Sequence, residues 1–189
     1  GEPIIDLKNN FFNLDLTDYN NCLKVTKNID LVIHLADVVA GINYVFANEY
    51  SLFRSNILIN SNIYNASGIN GVKKIIYVGT ACSYPKSKQS SYDNPPLKED
   101  EIYPADPESS YGWSKLIGEY ELELAVKYNL ISATTLRFHN VYGPPCELNP
   151  DLSQVIPALC RKIIEEESLI VWGSGKQRRA FLYVSDVVN

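Results

Sequence analysis

The sequence predicts an α/β fold built on a doubly wound parallel sheet. Apolar, β-branched runs of strand length, such as "LVIHLA" (31–36) and "VKKIIYVG" (72–79), read as buried strands. Longer stretches with caps and helical spacing separate them, so strand and helix signals alternate along the chain. That alternation implies parallel strands joined by crossovers, and such sheets gather ligands beyond the carboxyl ends of their strands. The polar clusters "HLAD", "GTACS" and "FHNVYGP" all fall at such ends.

Element by element, "NFFNLDL" (10–16) is expected as a strand, with Thr17 or Asp18 capping a short helix after it. The strand 31–36 is followed by a turn-like "DVVAGINY" (37–44) and a long helix over 47–70, whose Leu52, Ile57, Ile59 and Ile63 form an imperfect apolar stripe. After the strand 72–79, a polar, proline-bearing connection runs from Ser83 to Glu108; at that length it is expected to be functional. "SSYGWSKLIGEYELELAVKYN" (109–129) is the strongest helix, opened by a serine cap. A strand over 132–143, a helix over 153–167 and a strand "LIVWG" (169–173) complete the order.

Composition narrows the function. A chain of 189 residues, 46% of them hydrophobic, can bury one sizeable core. Its net charge of -5, without a basic block, argues against nucleic acid as a partner. No apolar run is long enough to span a bilayer, so no membrane association is expected. Cys22, Cys82, Cys146 and Cys160 are widely spaced, with no C-x-x-C and only two histidines; neither a disulfide framework nor a metal site is suggested, and the cytoplasm is the expected compartment.

Two clusters carry chemistry. Tyr111 and Lys115 stand four apart in a helix, on one face, where an ammonium can favour the phenolate and bring it toward a general-base range. Alone, such a pair is an ordinary exposed Tyr and Lys. Thr80 and Cys82 end the strand 72–79, and if the extended geometry continues that far, hydroxyl and thiol face the same way. His34 and His139 read as core histidines, and Trp113 and Tyr84 as packing residues.

Taken in order, "DLTD", "VIHLA", a threonine at a strand end, Y-x-x-x-K, "RFHNVYGP" and "GSGKQRRAFLYVSDV" resemble the extended short-chain dehydrogenase/reductase family of NAD-dependent sugar-nucleotide epimerases and dehydratases. The resemblance runs from about Asn10 to the C-terminus. It implies a Rossmann-type domain over 1–144 that lacks its first βαβ unit, and the beginning of a small substrate-binding region over 145–189. A glycine-rich phosphate loop is absent and the chain contains no methionine, so an internal segment of a longer protein is expected.

By the same resemblance, Thr80 orients a sugar hydroxyl or keto oxygen, Tyr111 is the acid/base, and Lys115 holds the nicotinamide ribose and depresses the tyrosine pKa. Asp15 and Leu16 meet the adenine of NAD or NADP; Ala36 and Asn56 line the cofactor. Gly41, Cys82, Asn140, Gln154 and Arg179 fall on the substrate side, with no metal involved. Turn roles for Asp15 and Asn140 are the lesser alternative, and Asn56 can equally be a polar helix residue.

"ACSYPK" and "VVAGI" narrow the likeness to two branches, the GDP-mannose 3,5-epimerases and then the GDP-L-fucose synthases. A GDP-hexose substrate, C4 oxidation followed by proton transfer at C3 or C5 through Cys82, and a homodimeric parent protein are thereby implied. The second titratable group that inversion requires falls on Gln154, which cannot ionise. A reductase or C4-epimerase is the alternative within the family, and a non-catalytic nucleotide-binding module the alternative outside enzymes.

Overall fold

The computed structural model describes residues 11–149, 152–165, 168–170, 174–176 and 178–189. Helix α1 (Tyr19–Val25) begins where the Asp18 carboxylate accepts the Asn20 N–H, and strand β1 (Leu31–His34) follows. Helices α2 (Ile42–Ala47) and α3 (Glu49–Ile69) lead to β2 (Lys74–Thr80). The connection to α4 (Ser110–Lys127) carries three short 3-10 turns, at Ala81–Ser83, Lys86–Lys88 and Glu99–Ile102. The Ser109 hydroxyl caps α4 by accepting the Gly112 N–H.

After α4 comes β3 (Ser132–Phe138), which pairs with β2 in parallel from Lys74↔Ser132 to Thr80↔Phe138; β1 pairs with the other edge of β2 from Leu31↔Lys74 to His34↔Tyr77. Chain order and spatial order coincide in this sheet, so two right-handed crossovers set α3 and α4 on one face. The two helices lie against each other there. A Cβ on Gly118 would stand 2.6 Å from the Asn60 amide nitrogen and 2.8 Å from the Tyr77 hydroxyl, so only glycine lets α4 approach this closely. Ile63, Tyr64 and Ala66 of α3, Ile75 and Tyr77 of β2, Leu122 of α4 and Cys22 of α1 form the main core beneath.

Among the described residues, no helix covers the opposite face of the sheet. Leu31, Ile33 and Leu136 are exposed on it, and Ile76 and Val78 are half-buried. The sheet is parallel as expected, but among the described residues only one of its two faces is wound with helices. A second, smaller sheet pairs β4 (Asn140–Tyr142) with β5 (Phe181–Tyr183) in parallel, accompanied by α5 (Val155–Ile164) and α6 (Val184–Val188).

Four expectations need correction. Residues 11–16 form no strand, because no neighbouring strand pairs with them; the Leu16 carbonyl instead accepts from the Cys22 thiol and the Asn62 amide. The turn-like 37–44 contains the start of α2, a helix of six residues without a side-chain cap and therefore without a clear signal. The strand expected over 132–143 breaks at His139 into β3 and β4, which belong to different sheets. Of "LIVWG", Leu169 and Ile170 are not in a strand, and 171–173 lie outside the described residues. Among the described residues no helix is long and apolar enough to cross a membrane, and no group of three or more His, Cys, Asp or Glu side chains could hold a metal ion.

Candidate functional site

The carboxyl ends of β1 and β2 and the first turn of α4 meet at one place. Strand β2 stops at Thr80, whose hydroxyl oxygen accepts the Cys82 N–H at 3.2 Å and so caps the turn Ala81–Ser83. The chain is no longer extended at Cys82, so the expected strand-like alternation does not hold; Cys82 sits in the turn, with an exposed side chain. Helix α4 packs directly on that turn. A Cβ on Gly112 would collide with the Cys82 carbonyl oxygen and stand 3.0 Å from the Pro107 side chain. Glycine between Tyr111 and Trp113 therefore lets the phenol come down beside the Thr80–Cys82 turn.

Tyr111 and Lys115 share one partner. The Tyr111 hydroxyl donates to the Asp37 carboxylate at 3.3 Å, and the Lys115 ammonium forms an ion pair with the same oxygen at 3.0 Å. The Lys115 and Asp37 side chains are only 3% and 8% exposed. The ammonium also stands 4.7 Å above the Tyr77 ring. Burial, then the Asp37 carboxylate, Cys82 and Tyr77, push the Tyr111 phenol well above its ordinary pKa. Burial is the largest of these causes and the Asp37 carboxylate the next, so in this arrangement the phenol stays protonated beside Lys115. Asp37 is the residue the sequence reading missed. Its one signal was a carboxylate closing an apolar strand run.

Asn56 is fully buried and acts as a clamp. Its side-chain oxygen accepts the Val38 N–H at 2.6 Å, and its amide donates to the Val38 carbonyl at 3.2 Å and to the Ser114 hydroxyl at 3.4 Å. Through these bonds α3 fixes the loop carrying Ala36 and Asp37 against α4. His34 is the buried histidine expected, bonded to Asn60 at 2.9 Å, and burial holds its pKa down at about 4. His139, by contrast, is exposed, since it sits where the chain leaves the sheet. Tyr84 is buried with Ile102 and Leu116, whereas Trp113 lies partly exposed on the outer side of α4.

The other expected positions stand apart from this cluster. Asp15 is exposed and folds back on Thr17, whose N–H and hydroxyl it accepts at 2.9 and 2.7 Å; these bonds hold its pKa below the usual carboxylate value. The Leu16 side chain packs against the main core. Gly41 precedes α2 and accepts the Val45 N–H. Asn140 donates to the Ala180 carbonyl at 3.1 Å, which ties β4 to the segment before β5. Gln154 is exposed just before α5 without a side-chain cap bond, and Arg179 is exposed and bonded to the Arg178 carbonyl. A separate cavity of about 360 Å³ beside β3, lined by Tyr84, Leu97, Glu99, Thr135, Arg137 and His139, includes none of the Tyr111 cluster.

Residues 2–189 match the NAD dependent epimerase/dehydratase family. The chain belongs to that family. It is 36% identical over 183 residues to GDP-mannose 3,5-epimerase of Arabidopsis thaliana, covering 95% of this chain and 48% of the relative. Among solved structures, UDP-N-acetylglucosamine 4-epimerase of Methanobrevibacter ruminantium, in complex with UDP-N-acetylmuramic acid, is 30% identical with a TM-score of 0.81, over 93% of this chain and 54% of that one. A GDP-L-fucose synthetase of Naegleria fowleri bound to NADP is 27% identical with a TM-score of 0.70, over 90% and 57%. This chain thus spans about half the length of its relatives. The family consists of NAD(P)-dependent enzymes acting on nucleotide sugars, with the Rossmann-type fold seen here. The donor set fits the nicotinamide side of such a cofactor: Tyr111 and Lys115 present a hydroxyl and an ammonium one helical turn apart, suited to vicinal ribose hydroxyls.

Proposed function

We propose that the whole protein is a GDP-hexose epimerase of the 3,5 type. The juxtaposition of Tyr111, Lys115, Thr80 and Cys82 at one strand end carries this reading, supported by the likeness to GDP-mannose 3,5-epimerase. NAD(P)+ supplies a hydride acceptor when bound. Tyr111 takes the proton of the C4 hydroxyl while Thr80 holds the oxygen by hydrogen bond; Lys115 contacts the ribose and stabilises the phenolate. The C4 ketone acidifies the adjacent C–H bonds. Cys82, exposed beside Tyr111, then takes the proton at C3 or C5; a solvent proton reaching the opposite face completes the inversion, Tyr111 returns its proton to the C4 oxygen, and with the hydride returned nothing is consumed. Asp15, Leu16, Ala36 and Asn56 belong to the cofactor side of this proposal, and Gly41, Asn140, Gln154 and Arg179 to the substrate side, with the division of the chain near residue 144.

Gln154 favours a second reading. With an amide where the opposite proton donor is required, the reaction stops at C4 epimerisation or at reduction of a 4-keto sugar, and Cys82 is a bystander. Incubating the full-length protein with GDP-mannose in D2O separates the two. Deuterium at C3 or C5 is expected; its absence, with turnover intact, overturns the assignment of Cys82. The reading also places the protein in the cytosol as a homodimer, for which gel filtration of the full-length protein is the direct check.

A further inference from the structure

The Asp37 carboxylate is the feature that acid/base chemistry by Tyr111 and Lys115 does not require. It lies at the carboxyl end of β1, 78 residues before Lys115 in the chain, and one of its oxygens receives both the Lys115 ammonium and the Tyr111 hydroxyl. Lys115 is 2% exposed as a residue, so water cannot take over that pairing. The loop that carries Asp37 is held from the other side by the two Val38 bonds to Asn56, so the carboxylate is aimed rather than merely near.

We propose that Asp37 is a positioning residue that competes with the cofactor for Lys115 and keeps the proton on Tyr111 whenever it wins. The proposal rests on the reading of Tyr111 and Lys115 as the acid/base pair. A carboxylate that accepts the phenol proton's hydrogen bond favours the protonated phenol, and one that neutralises the neighbouring ammonium removes the field that would stabilise a phenolate. When the ribose hydroxyls take Lys115 and Tyr111, they displace the Asp37 carboxylate from both groups, and the ammonium charge again acts on Tyr111. Deprotonation of Tyr111 is thereby coupled to cofactor occupancy, and unproductive base chemistry without cofactor is suppressed. The charged and titratable groups around the phenol all fit this balance. Asp37 comes from the loop after β1, Cys82 from the turn after β2, Tyr77 from β2 and Lys115 from α4; His34 of β1 is nearby and buried, and among the described residues α3 offers the uncharged Asn56 and Asn60 and, packed against His34 and Tyr77, the Tyr64 phenol.

The test reads Tyr111 itself. The full-length protein, labelled with 13Cζ-tyrosine and assigned through Tyr111→Phe, is titrated by NMR with and without saturating NADH, whose nicotinamide ring is neutral. The Tyr111 midpoint is expected to lie above that of free tyrosine and to fall by about one pH unit or more in Asp37→Asn. It is expected to fall likewise in the unaltered protein on adding NADH, and Asp37→Glu should behave as the unaltered protein does. The rising limb of the kcat/KM profile should move to lower pH with Asp37→Asn. A midpoint in Asp37→Asn equal to or above that of the unaltered protein overturns the proposal. If Asp37→Asn does not fold, the unaltered protein decides: a midpoint that NADH leaves in place overturns it too. None of these titrations depends on the sugar, whereas normal turnover by Tyr111→Phe would defeat the catalytic reading separately.

Discussion

The two sheets of this protein are built differently. Around β1–β3 the helices meet over a continuous core, and several buried polar groups are paired there: Lys115 with Asp37, His34 with Asn60, Arg137 with Glu119 at 2.8 Å. Around β4 and β5 the surface is open, and α5, β5 and α6 contain no buried residue among those described. The groups proposed to move protons therefore sit by the packed part. Those proposed to choose the sugar, Asn140, Gln154 and Arg179, sit in the open part. Charges in the first part are paired inside the protein before ligand arrives, so binding there exchanges one set of partners for another. In the second, specificity can change without disturbing the core.

The sharpest way to break this contrast is to remove one side of the buried pair. Lys115→Met leaves the Asp37 carboxylate buried without its cation, and a loss of about 3–5 kcal/mol is expected in urea denaturation. A loss under about 1 kcal/mol would mean that the pair is hydrated and the site is not preorganised. Next in size is the acid response of His34. It binds a proton only near pH 4 in the folded protein, whereas an unfolded histidine does so near 6.5. Its contribution is complete above about pH 6.5 and is lost as pH falls toward 4, by up to ~3 kcal/mol, because only the unfolded chain gains the proton in that window. His34→Gln should flatten that slope in a series of denaturation curves. Smallest is the effect of Asn140→Ala or Gln154→Ala, expected to change stability by no more than about 0.5 kcal/mol. A larger change would show that the second sheet carries part of the fold.

The same contrast governs what the sequence discloses. Strands β1 and β2 were legible from their apolar runs and helix α4 from its serine cap, which are local signals, although of β1 only His34 is buried. The Tyr111–Lys115 pair was legible for the same reason, being one helical turn apart. Asp37 was not, since its partners lie 74 and 78 residues away and only the tertiary fold joins them. Residues 11–16 show the converse failure. Their apolar character suits a strand, yet a strand exists only with a neighbour to bond, and pairing is not written in the segment itself. His139 went wrong because the end of β3 cannot be told from its middle by residue type.

The bare face of the main sheet has a practical side. With Leu31, Ile33 and Leu136 open to water and Ile76 and Val78 only half covered among the described residues, association of these 189 residues through that face is expected. Light scattering should rise with concentration well before any unfolding transition, and salts that strengthen apolar contact should bring it on sooner. Any melting temperature measured on these 189 residues alone will therefore depend on how dilute the sample is.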